Sequence, residues 1–383
     1  MVVDDPVWNA IEPWMIEIRR GIHRHPELGL ETPETAHRVE AVLDELGIAH
    51  TRPITNGVRG VLAADRPGPA LLLRADMDAL PIQEANDLPF RSEISDRMHA
   101  CGHDCHTAML LGAARYLQAH EAELRRPVIL MFQPGEEGPG GAMPMIEAGI
   151  LNGVEAGVMV HIDSDLEAGV IGLREGAAMG SCDDFRLTVH GRGGHGSTPH
   201  QGVDAIFVAT AIVQAIQAVV SREQDAFDPL VVSVGTIHGG YRENVIADRV
   251  EMTGTIRAMS RAARERAVRR VGEVADGMAR TYGARAEFVL DAGYPVFMAD
   301  VPWTQRARHI LTEALGPEAV RDVPPTLGVE DFAYVAERIP AFCIVVGIAG
   351  PQLTTGLHSA GLMVDERGLK TGAVALAAMA LRS

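Results

Sequence analysis

Lysine is almost missing from this 383-residue sequence: of 34 basic residues, only Lys370 is lysine. A Gly-Lys-Ser/Thr phosphate loop therefore cannot be built. Pyridoxal or Schiff-base chemistry would have to use Lys370. Neither a Gly-x-Ser-x-Gly elbow nor a His-Glu-x-x-His helix occurs, which removes two more large enzyme classes. Positive charge is scarce too, with 51 acidic residues against the 34 basic ones and a net charge of -17. Such a chain repels phosphate backbones and anionic headgroups, so neither nucleic acid nor a membrane is an expected partner. The longest apolar run, 341–350, is about half of the ~20 residues of a membrane-spanning helix. The acidic N-terminus lacks a signal-peptide layout, and a cytoplasmic protein is expected. Four cysteines, Cys101, Cys105, Cys182 and Cys343, are too few for a disulfide framework. In a reducing compartment they read as core residues, metal ligands or nucleophiles.

The length suggests two domains or one elaborated α/β unit. Apolar residues make up 47% of the chain and charged residues 22%, the balance of a folded globular protein. In the first part, helical spacing at 14–25, 34–46 and 107–120 alternates with apolar runs at 70–74, 128–132 and 157–161. A further run lies at 342–346. Asp104 is available to cap the third helix. Near-continuous apolar strands separated by helices indicate a largely parallel sheet. From about Ser181 the pattern changes: strands at 185–189, 230–237, 249–257 and 286–290, with helices at 204–220 and 262–282. That order, β-α-β-β-α-β, is the ferredoxin-like layout. The expected architecture is α/β: a larger, mostly parallel-sheet catalytic domain at 1–180 and 294–383, carrying an inserted ferredoxin-like α+β domain at 181–293.

Metal-type ligands gather after the expected strands, the edge where open α/β sheets form sites. They are Asp76 and Asp78, Cys101 and His103, Glu136 and Glu137, His161, and His358. Cys101 and His103 are two apart, so in extended backbone their side chains share one side and can meet one ion. Thiolate with imidazole suits zinc and its borderline neighbours; alone, the pair reads equally as a buried cysteine and a loop histidine. Gly135 and Gly138 let the chain turn sharply around Glu136-Glu137, which otherwise reads as a solvated turn. One carboxylate could then ligate while its neighbour acts as a base, the division of labour that metal hydrolysis needs.

Four stretches, Arg74-Ala-Asp-Met-Asp-Ala-Leu-Pro, Cys101-Gly-His-Asp-Cys-His-Thr, Gln133-Pro-Gly-Glu-Glu-Gly and Gly193-Gly-His-Gly-Ser, closely resemble one metallohydrolase family. That family contains aminoacylases, glutamate carboxypeptidases and succinyl-diaminopimelate desuccinylases. The cysteine motif is similar to the branch with hippurate hydrolase and the plant auxin–amino acid conjugate hydrolases. The resemblance runs from about residue 20 to the C-terminus. It implies two divalent metal ions (Mn, Zn, Co or Ni) held by Cys101, His103, Glu137, His161 and His358, with Cys101 bridging. It further implies Glu136 as general base and Asp78 as the carboxylate orienting a ligand histidine. Asp76 stands where other branches have a ligand histidine and is left off the set. The insert is implied to form the dimer interface and close over the site of the other subunit. There His195 would stabilise the oxyanion, while Asn244 and Arg257 hold the substrate carboxylate. The implied reaction is hydrolysis of an N-acyl amino acid to a carboxylic acid and a free amino acid. The alternatives are a carboxypeptidase or dipeptidase on short peptides, and a non-catalytic metal- or ligand-binding protein. Cys105 departs from the branch pattern, which usually has glycine there, and could oxidise with Cys101. Gly135 and Asp163 are further departures, and Glu330-Asp331 is kept behind an altered lead-in.

Overall fold

The apolar runs become the interior of an eight-stranded sheet. A computed structural model describes residues 2–351 and 355–383. In spatial order the strands are Ala49–Ile54, Gly57–Leu62, Val128–Gln133, Ala70–Asp76, Val154–Glu167, Ala341–Ala349, Ile171–Leu173 and Val320–Asp322. The four central strands, Val128–Gln133 to Ala341–Ala349, are mutually parallel. The outer strands supply the antiparallel pairings. Every residue of Ala70–Asp76 and Val128–Gln133 is buried, the condition that makes such strands continuously apolar.

Two helices differ from their expected limits. Trp8–His23 begins six residues before the expected start and contains Pro13; the ring forgoes one intrahelical bond, and Trp8, Ile11 and Met15 are buried on the same helix. His103–Ala119 begins one turn earlier than expected, behind Gly102. Asp104 is therefore not its cap. It lies inside the first turn, fully buried, and accepts from Arg19 Nε and His23 Nδ1, each at 2.8 Å.

By contacts the chain divides into two units: 1–176 with 298–324 and 334–383, and 177–297 with 325–333. The smaller unit holds an antiparallel sheet in the order Leu230–Gly239, Arg249–Ala258, Ser181–His190, Arg285–Ala292. Helices Ala205–Ser221 and Arg261–Thr281 share one core with it, built on residues such as Leu187, Ile212, Ile256 and Val271. Both helices start on side-chain caps: Asp204 accepts from Ile206 and Phe207 N–H, and Ser260 from Ala263 N–H. Among the described residues no helix is long and apolar enough to cross a membrane.

Candidate metal centre

The parallel strands of the larger unit deliver the site residues. Ala70–Asp76 ends at Asp76, with Asp78 two residues on. Val128–Gln133 runs into Pro134-Gly135-Glu136-Glu137, where Gly135 (φ 76°) and Gly138 (φ 133°) make the expected sharp turn. His161 does not end its strand, which continues to Glu167. Cys101 and His103 do not converge through extended backbone either. Gly102 between them is left-handed (φ 86°), and a Cβ there would sit 2.1 Å from Ile162 Cδ1. The turn, together with the start of the helix at His103, brings the two side chains together. His358 itself is left-handed (φ 60°), and its N–H donates to Ala100 O at 2.8 Å. Left-handed backbone is uncommon for a side-chain-bearing residue and costs energy that the surroundings must supply.

These segments bring five donor side chains together, four of them around the sulfur of Cys101. Cys101 Sγ lies 3.6 Å from His161 Nε2 and 3.3 Å from His358 Nε2. His358 Nε2 lies 3.1 Å from Glu137 Oε1. Two triads with mutually close ligand atoms share the thiol, Cys101/His103/His161 and Cys101/Glu137/His358. Glu136 sits beside them, with Oε2 3.9 Å from His103 Nε2. Neither buried ring nitrogen of His103 makes a well-formed hydrogen bond, with carboxylate neighbours standing at 3.4 Å (Asp78 Oδ1) and 3.9 Å (Glu136 Oε2). Buried polar atoms left unpaired are costly, and these converge on one small volume with soft and borderline donors. The donor set fits divalent metal ions.

Asp78 organises the cluster. Its Oδ1 accepts from Glu136 N–H at 2.9 Å and its Oδ2 from Glu137 N–H at 3.1 Å. The same Oδ1 lies 3.4 Å from His103 Nδ1. One buried carboxylate thus pins the Glu136-Glu137 turn and faces the far side of a candidate ligand ring.

Burial alone would raise the Cys101 pKa, but His161, His103 and His358 outweigh it and bring the thiol down to about 6. Bonding to Cys101 and Glu137 pushes His358 up to about 10. Burial would lower His103, yet Asp76, Asp78 and Cys101 hold it well above the usual imidazole range. Glu137, against burial, is lowered by His358 and His103. Cys105 differs from Cys101. It is fully buried, and burial with nearby Asp104 raises its thiol well above the ordinary value. None of the four cysteines forms a disulfide.

The remaining expected residues lie in the smaller unit. His195 is exposed; its Nδ1 accepts from Ser197 N–H at 3.0 Å and faces Ser197 Oγ at 2.8 Å. A backbone N–H can only donate, so the neutral ring carries its proton on Nε2. Asn244 is exposed on a turn whose carbonyl accepts from Gly196 N–H at 2.8 Å, and Val245 pairs with His195. Half-buried Arg257 is anchored through one donor, Nη1 to Leu327 O at 3.0 Å. Sequence reasoning passed over Arg74, Gln133 and His106, although all three lie inside the quoted motifs. Arg74 Nε donates to Gln133 Oε1 at 3.0 Å, and His106 Nδ1 lies 2.6 Å from Asp76 Oδ1.

Residues 72–382 match peptidase family M20/M25/M40. The chain belongs to that family. It is 39% identical over 382 residues to thermostable carboxypeptidase 2 of Saccharolobus solfataricus, covering 98% of this chain and 96% of that one. It is 37% identical to N-acetylcysteine deacetylase of Bacillus subtilis, covering 97% of each. Identity to IAA-amino acid hydrolase ILR1-like 4 of Arabidopsis thaliana is 37%, covering 98% of this chain and 86% of that one. Among solved structures, the Bacillus subtilis YXEP protein, described as a dinuclear metal binding peptidase from the M20 family, superposes with a TM-score of 0.85. It is 34% identical, covering 97% of this chain and 98% of that one. This member of the M20/M25/M40 family is a metal-dependent amidohydrolase. The resemblance to the aminoacylase and auxin-conjugate branch holds across nearly the whole chain.

Proposed function

We propose that this enzyme hydrolyses the amide bond of N-acyl amino acids, releasing a carboxylic acid and a free amino acid. The observation that carries the reading is the shared thiol: Cys101 belongs to two ligand triads, and the carboxylate of Glu136 lies beside them. Cys101, His103, Glu137, His161 and His358 would hold two divalent ions, drawn from manganese, zinc, cobalt and nickel. When bound, such ions polarise an amide carbonyl and acidify water. Glu136 takes the proton of the attacking water and returns it to the leaving amine. Asp78 keeps Glu136 in place through the backbone N–H of that residue. His195 supplies Nε2–H to the oxyanion. Asn244 and the Arg257 guanidinium grip the substrate carboxylate, which a guanidinium fork suits. The segment 181–293 serves as lid and dimerisation domain of a homodimer. The cytoplasm, where Cys101 stays reduced, is the proposed compartment.

The test is a panel of N-acyl amino acids, acetyl to benzoyl and longer, run on metal-free protein reloaded with each ion, beside Glu136→Gln. Metal-dependent turnover lost in the variant is expected. A second reading, a carboxypeptidase, is favoured by the Saccharolobus relative. Cleavage of unblocked dipeptides with silence on every acyl amino acid would replace the first reading with it.

A further inference from the structure

Asp76 and His106 lie against the metal centre, yet the proposed ligand set uses neither. With His103 they form a third group of mutually close ligand atoms, Asp76 Oδ2 lying 3.7 Å from His103 Nε2, but each has a shorter partner elsewhere. Asp76 Oδ2 accepts from Arg74 Nη1 at 2.7 Å, and Asp76 Oδ1 receives His106 Nδ1 at 2.6 Å. At the far side of the ring, Ile162 N–H donates to His106 Nε2 at 2.8 Å. Because that N–H can only donate, His106 is a neutral imidazole with its proton on Nδ1. Arg74, Asp76 and His106 are all fully buried.

Ile162 is where this chain of bonds ends. Its strand pairs with Ala341–Ala349 through Ile162 and beyond, but the register with Ala70–Asp76 stops at Met159. On that side the His106 ring takes the place of a strand partner for Ile162 N–H. The carbonyl of the same residue lies 2.7 Å from His161 Nδ1. A carbonyl can only accept, so His161 keeps its proton on Nδ1 and turns the lone pair of Nε2 toward Cys101 Sγ. The Ile162 side chain fills the space beside Gly102 that any Cβ would need. Ile162 therefore touches both the ligand on its own strand and the turn between the other two.

We propose that Arg74, Asp76 and His106 form a positioning relay that acts through the Ile162 main chain. The relay sets the tautomer and place of His161, and so tunes the ion held by Cys101, His103 and His161 but not the one held by Cys101, Glu137 and His358. This rests on the ligand set proposed above. The three are positioning residues: their shortest bonds run to one another and to the Ile162 main chain.

The test compares two single variants by cobalt titration of the metal-free full-length protein, following heat and the thiolate-to-cobalt absorption band. In His106→Asn the amide still meets Asp76 but falls short of Ile162 N–H. In His106→Gln the longer side chain brings an oxygen to that N–H. Leu117→Ala, a fully buried position on the same helix, reports general destabilisation. Wild type should take up two ions. His106→Asn should bind one of them about 10–100-fold more weakly, the usual scale for losing an outer partner of a ligand, with the other unchanged. His106→Gln should recover most of the loss, and Leu117→Ala should lower the melting temperature while leaving both affinities alone. Wild-type affinities in His106→Asn, or an equal loss at both ions matched by Leu117→Ala, would overturn the relay alone. Uptake of fewer than two ions by wild type would overturn the ligand set and the relay with it.

Discussion

The residues around Cys101 and the residues around His195 are held in opposite ways. Cys101, His103, Asp78 and Glu136 are buried, and each is fixed by side chains or backbone groups of the larger unit. His195 and Asn244 are exposed and held by short local bonds, Ser197 on one and Gly196 on the other. The first group is preorganised by folding itself, where low dielectric strengthens every polar contact. The second presents donors on an exposed surface. Substitutions of Cys101, His103 and Asp78 should therefore register in metal retention, those of His195 and Asn244 only in turnover, and Glu136 is the buried residue expected to side with the second group.

Glu136→Gln tests the contrast hardest, because a buried residue is expected to behave catalytically. Turnover should fall by about 10²–10⁴ while metal analysis finds both ions; near-normal kcat would remove Glu136 as the base. His195→Ala should lower kcat by about 10²–10³ with the melting curve and metal content untouched. If metal content dropped as well, the division between the two groups would fail. Asp78→Asn leaves one acceptor where two backbone N–H groups now bond, and chelator competition should show metal affinity weaker by about 10–100-fold. Unchanged affinity would make Asp78 dispensable to the ligands. Arg257→Ala should raise KM by about tenfold for acyl amino acids and leave their methyl esters alone; equal effects on both would argue against a carboxylate grip. The smallest effect is Asp204→Ala, which removes a helix cap in the smaller unit and should cost about 1 kcal/mol in denaturant unfolding.

Much of this was legible from residue order. Strand positions followed from buried apolar runs, and the sharp turn at Glu136-Glu137 from its two glycines. The ferredoxin-like order followed from alternation after Ser181. What could not be read were bonds between distant residues. Asp104 looked like a helix cap because its partner Arg19 is 85 positions away. His106 is spaced like any helical residue, and only the sheet register shows that it completes the bonding of Ile162. The convergence of Cys101 and His103 was anticipated for the wrong local reason, since a left-handed glycine and not extended backbone achieves it.

The smaller unit opens and closes its sheet at a single seam. Asp183, near the start of its first strand, pairs with Ala292 at the end of its last, and Cys182 N–H donates to Tyr294 O. Arg264 clasps the Asp183 carboxylate with two bonds and reaches Gly293 O with a third contact. The ends of the stretch 183–292 thus lie about one strand spacing (~4.8 Å) apart, while 325–333 joins the same unit separately. A segment whose ends lie that close can be exchanged for one of different shape without re-routing the strands on either side of it.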